Sequence, residues 1–443
     1  MFVEQSAGRI RCVRMLFVLG GFMPCMGLVT LALWRSSDMH SSTIRRGWEE
    51  SLGVPLAIES VEHLRPGAIR LHGLDVLAPS GETVLSVHAL DVEMSAGEVR
   101  LTLGRLECTP RAAALLAGLA GDWLRHPERF SRAWVVDVAA VEWSSDQSDQ
   151  NGTHRSELPA IRRDILEVAQ SGLHAECVSS DGVRAVRVRR QPEAADEVRV
   201  RLAGMGGVSR EGGAMAGSPE RLEVSASINE PLPLAIVAAV AGAWAESSLP
   251  FGEGVFGSSA RARGTVEAVR ENHAWSGDLA GLVEQIDLAA CTSGLACRAS
   301  GEATVLIKKM RFDAGRLTAG DYHCSASAGL IGQDMLEGMK AHLGCRSGPA
   351  FVSLAREQVR NFDDASCSLQ IDERGMVLRA LGDRDGAIMR RHGLSILQEP
   401  SVAVVTERLA WLFSPPGLVP VPASAASAWI LSIMPLPRGS RGF

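Results

Sequence analysis

The chain is poor in aromatic side chains, 5% of 443 residues with a single Tyr, and has no excess of bases: 45 Lys and Arg stand against 51 Asp and Glu. A formal net charge of -6 and a pI near 6.0 exclude the broad basic footprint of a nucleic-acid binder. The shortage of rings leaves few platforms on which bases could stack. Catalytic signatures are missing as well. No Gly-x-Ser-x-Gly elbow, His-Glu-x-x-His pair, P-loop or kinase set occurs. The Gly-rich stretch 203–220 has neither the Lys nor the strand-to-helix placement of a phosphate cradle. Adjacent acids at Asp363-Asp364 and Asp372-Glu373 read as solvated turn residues, and His63, His72 and His88 are spread over one sheet. With no C-x-x-C knuckle and no His pair at ligand spacing, neither a metal nor a cofactor is expected. The chain reads as non-enzymatic.

Among nine cysteines, Cys12 and Cys25 lie at or within the first apolar run. Cys108, Cys177, Cys291, Cys297, Cys324, Cys345 and Cys367 follow, an odd set that cannot all pair within one chain. Cys291 and Cys297, flanking TSGLA, read either as a local disulfide in an oxidising compartment or as small buried hydrophobes.

What the sequence does have is a long hydrophobic run. Met15 to Trp34 carries no charge, and about 20 residues at 1.5 Å each cross a hydrocarbon core of roughly 30 Å. Met15, Phe17, Phe22, Leu28, Leu33 and Trp34 are its anchor residues, with Pro24 a tolerated kink. Arg9, Arg11 and Arg14 precede it against the one acid Glu4, which places residues 1–14 in the cytoplasm and the bulk of the chain beyond the membrane. The rival reading is a cleaved signal peptide, although the run exceeds a usual h-region and its end, LALWRSSDMHSS, lacks a small-x-small cleavage site. Either way the remainder is exported.

Beyond Trp34 the expected class is α+β: an N-terminal transmembrane helix (15–34), then antiparallel, twisted β-sheet units with packed helices. Residues 41–52 form a short helix with Ile44, Trp48 and Leu52 on one face. From Val54 the period becomes two, giving a first β-rich unit over 35–143, with Gly73 a candidate bulge. Its helix, 110–126, has Thr109 as N-cap and Pro110 at the first helical position. The polar stretch 144–157, containing the formal sequon at Asn151, is the expected linker. A second β-rich region, 158–345, carries helices 159–170, 232–245 and 330–343, and a hairpin turned at Asp313-Ala314-Gly315. The apolar helix at 232–245 is too short to span and reads as packed on a sheet. Residues 346–443 supply another hairpin, a helix near 402–413 and a Pro-rich tail.

Arg9, Arg11, Arg14 and the anchor, followed by LGVPLAIESVEHLRPGAIRLHGLDVLAPSGETVLSVHALDVEM, in which G-x-I-R-L-x-G-L heads a strand pair, resemble the AsmA-like family of bacterial envelope proteins. The later GEATVLIKKMRFDAGRLTAGDYHCSASAGLIGQDMLEGM resembles the same family's downstream strand-and-helix units. The resemblance covers about a quarter of the chain, which is much shorter than the largest members. It implies an inner-membrane anchor, a β-rich periplasmic part, and a role in moving or organising lipid. It supplies no catalytic residues.

The expected working surface is therefore a sheet face formed by Leu90, Val92, Met94, Val99, Leu101 and Leu103. Left open it is a groove for membrane lipids, and covered by helix it is the core of an anchored scaffold whose edges meet other envelope proteins. Nucleic acid is not an expected partner.

Overall fold

The computed structural model describes residues 7–126 apart from 36 and 79, then 132–143, 172–180, 183–190, 196–203, 221–245, 255–355 apart from 294 and 296, 358–382, 385–406, 408–412, 432 and 434–435. The expected linker 144–157 and the helix 159–170 lie outside these residues.

The first helix runs as α1 (Ala7–Phe17), a π turn at Val18–Phe22 and α2 (Met23–Arg35). Pro24 has no N–H for the carbonyl of Gly20 and its ring crowds that turn, so the helix widens there rather than breaking. Within Arg14–Arg35 the most apolar window has a mean hydropathy of 2.1 and none of it is buried; Met15, Phe17, Phe22, Leu28, Leu33 and Trp34 are all exposed. Among the described residues one helix is thus long and apolar enough to cross a membrane. After a break at Ser37, α3 (Asp38–Leu52) ends at Gly53, in the left-handed region at φ 71°. Its Ile44, Trp48 and Leu52 meet the sheet as their spacing predicts, with Trp48 edge-on to Trp134 at 6.0 Å.

The rest is α+β, dominated by one 18-stranded sheet. Strands β1 (Leu56–Arg65), β2 (Ala68–Leu77), β3 (Thr83–Met94) and β4 (Glu98–Cys108) form an antiparallel meander. Helix α4 (Pro110–Arg125), capped by Thr109 Oγ1 accepting from Ala112 N at 3.1 Å, then crosses over to β5 (Ala133–Trp143), parallel to β4. β6 (Leu173–Ser180), β7 (Val183–Arg190), β8 (Glu197–Ala203) and β9 (Arg221–Pro233) continue antiparallel. Because β6 pairs directly with β5, one sheet bridges the two expected β-rich regions.

After α5 (Leu234–Ala245) come β10 (Arg261–Glu271), β11 (Ala274–Asp287), α6 (Leu288–Thr292), β12 (Ala299–Ser300), β13 (Glu302–Asp313) and β14 (Arg316–Ala326). Then follow β15 (Gly329–Gly332), α7 (Gln333–Leu343), β16 (Arg346–Ser347), β17 (Val359–Phe362), β18 (Asp364–Asp372), β19 (Gly375–Ala380), β20 (Ala387–Arg391), β21 (Leu394–Gln398) and α8 (Arg408–Leu412). β12, β15 and β17 form a separate small sheet. This is why α7 starts at Gln333 rather than 330: Gly329 to Gly332 are paired, and a Cβ on Gly329 would sit 2.0 Å from Ser300 O. The helix expected over 402–413 is confined to Arg408–Leu412, since Met376 and Val404 exchange backbone hydrogen bonds of 2.7 and 2.8 Å. Cys291 and Cys297 are both free thiols.

Gly73 lies in the left-handed region at φ 58°, and a Cβ there would be 2.8 Å from the Cβ of Glu59. It is not a bulge, because pairing with β1 and β3 does not shift across it. Instead the buried positions change phase, from Ile69 and Leu71 to Leu74 and Val76, and β3 changes in step from Leu85 and Val87 to Leu90 and Val92.

Candidate functional site

Following the strand register from partner to partner exposes a single row across the sheet. It runs Ile69, Val92, Leu101, Val136, Ala175, Val188, Val198 and Ala226 on β2 to β9. It goes on through Val266, Leu279, Met310, Gly320, Ile371 and Met376 on β10, β11, β13, β14, β18 and β19. Direct partners project from the same side, so one row of this face is apolar from β2 to β19, over roughly 60 Å at about 4.8 Å per strand. A β-bulge at Lys308 and Lys309 keeps it so on β13, returning Ile307 and Met310 to the same side.

The neighbouring row on the other face is polar: Glu62, Arg70, Asp91, Thr102, Asp137, His174, Arg189, Glu197 and Ser227. Its charges pair across strands. Arg70 grips Asp91 through two bonds of 2.6 and 2.8 Å and holds that carboxyl below its usual range. His174 lies 2.6 Å from Asp137 and 2.8 Å from Glu176, hydrogen bonds that raise its pKa. A shallow cleft of about 270 Å³ on this face lies among Lys309, Asp321 and Gln370.

Cover on the apolar face is uneven. At the β1–β5 end, α3, α4 and α5 close it, and Leu90, Val92, Val99 and Leu103 are buried in one cluster with Ala112, Ala113 and Ile236. Leu101 is half-buried against that cluster and Met94, at the strand end, is exposed at 45%. The six residues expected to meet lipid do share one face, but four of them are core. A second cluster joins Trp123 and Leu124 of α4 to β7, β8 and β9. At the far end α7 and α8 close β14 to β21 around Leu336, Ile396 and Leu397.

Between these covers the face changes character. Ile228, Leu232, Val266, Leu279, Val283, Val305 and Ile307 are all only half-buried, and none joins the packed clusters at either end. Among the described residues, β13 packs extensively only on the strands beside it. Directly paired Gly264 and Gly281 notch the middle of this strip; a Cβ on either would meet the other strand's backbone at 2.3 to 2.4 Å. From β9 to β14 the strip is about 19 Å long, against roughly 15 Å for half of a bilayer's hydrocarbon core. Exposed apolar surface costs about 25 cal/mol per Å², and contiguous strips of it mark interaction sites.

This open strip was not identified from the sequence. Glycines at 264, 277 and 281 dilute the alternation on β10 and β11, and the bulge breaks its phase on β13. Among the described residues no group of three or more His, Cys, Asp or Glu is placed to hold a metal ion. No protein-family model matches the chain, and no curated protein matches it in sequence.

Proposed function

We propose that this chain is a single-pass, membrane-anchored protein of the bacterial cell envelope that works without catalysis, holding or passing lipid acyl chains along the open strip of its sheet. The carrying observation is the half-buried apolar row over β9 to β14, continuous in register with the covered face next to the anchor. The strip's length suits one acyl chain, and the fully exposed apolar helix supports attachment to the membrane that supplies it. Arg11 and Arg14 favour a cytoplasmic N-terminus in the inner membrane, with the sheet in the periplasm. This agrees with what the AsmA-like resemblance implies.

Native mass spectrometry of the protein extracted in mild detergent tests the reading. Phospholipid adducts are expected on the native chain and lost in Ile307→Asp. A second reading, an anchored scaffold for other envelope proteins, is favoured by the burial of Leu90, Val92, Val99 and Leu103 beneath helices. Absence of lipid from both proteins would select it.

A further inference from the structure

We propose that Cys324 and Cys367 are a site of disulfide formation, oxidised by exchange with a small-molecule or protein disulfide, which clips β14 to β18 at the C-terminal end of the open strip. The two residues are direct Cα partners in an antiparallel ladder whose pairing runs unbroken from Ala319 with Asp372 to Ala326 with Ala365. Directly opposed residues in such a ladder have Cα atoms about 4.5 or 5.5 Å apart, inside the window of about 4.4–6.8 Å that a disulfide bridges. Their side chains leave the same face, next to Val305 in the register row. The two thiols influence each other: Cys367 nearby holds the Cys324 thiol below its ordinary range, and Cys324 together with burial holds the Cys367 thiol above it. Both are free and only partly shielded.

The chemistry balances as a thiol–disulfide exchange. Cys324 thiolate attacks one sulfur of the donor disulfide and expels a thiolate, leaving a mixed disulfide. Cys367 passes its proton to that leaving thiolate and attacks the Cys324 sulfur, expelling the second, which takes up from solvent the proton that Cys324 released. Two thiols of the donor are formed and two electrons leave the protein. Cys345, buried and close enough to act electrostatically on Cys367, is the neighbouring competitor. The bond would close the segment between residues 324 and 367, which holds β15, α7, β16 and β17. The proposal does not depend on the lipid reading.

The test treats the full chain in detergent with oxidised glutathione, quenches in acid, unfolds, alkylates and maps peptides without reduction. The expected product is a Cys324–Cys367 linked peptide in most of the protein. In Cys367→Ser, Cys324 should instead carry glutathione, and Cys345→Ser should leave the link unchanged. Full alkylation of both residues in the treated native chain overturns the proposal. So does a dominant link from Cys345 to either partner.

Discussion

The two stretches of the apolar face, β2 to β4 and β9 to β13, have the same side-chain chemistry and the same ladder, yet among the described residues only the first is roofed by helices along its whole length. Over β2 to β4 the helices α3, α4 and α5 convert alternation into core, with Leu71 and Val92 fully enclosed. Over β9 to β13 comparable valines and isoleucines remain half-exposed. Alternation therefore specifies a face and not its fate. What decides between core and binding surface is the helix laid on top, and α4 is placed by its cap and by the parallel crossover to β5.

The largest contrast should come from a buried charge. Val92→Asp places a carboxylate where no water reaches and should cost about 3–5 kcal/mol, enough to unfold the chain, whereas Ile307→Asp on the half-exposed strip should cost about 1 kcal/mol or less. Urea denaturation of the two variants reads the difference directly, and equal losses would erase the distinction between the stretches. Next, Leu71→Ala should cost about 2–5 kcal/mol through transfer and cavity terms, against about 1 kcal/mol for Val266→Ala. Smaller still, Thr109→Ala removes the α4 cap and should cost about 1 kcal/mol. If α4 is the roof, this variant should also bind more of an environment-sensitive apolar dye, as the covered stretch comes to resemble the open one.

The smallest expected effect lies on the charged face. His174 has its pKa raised first by Asp137 and then by Glu176, so its contribution to stability is complete below the unfolded value of about 6.5 and is lost as pH rises through the higher folded value. Thermal melts across pH 6 to 9 should decline in the native chain and flatten in His174→Gln. An unchanged slope would remove His174 from the account.

The sequence made the strands, hairpins and the caps of α4 legible because alternation, Thr109-Pro110 and the turn at Asp313-Ala314-Gly315 are local signals. The long apolar helix was legible from an uncharged run. The face at Leu90 to Leu103 was legible too, but the burial of its centre was not, since α5 reaches that cluster with Ile236 from far along the chain. The strip at Val266, Leu279 and Ile307 stayed hidden for a different reason. Its floor contains glycines, and the bulge at Lys308 and Lys309 shifts the apolar phase. Ladders, not periodicity, reveal it.

Site-specific photo-crosslinking tests the central claim most directly. A photoreactive residue replaces Ile307 or Val266 on the open strip, or Val87 buried in the core cluster at the other end, and the protein is irradiated in membranes containing labelled phospholipid. The account predicts lipid adducts at Ile307 and Val266 and none at Val87. Equal labelling at all three positions, or none at the strip, would contradict it.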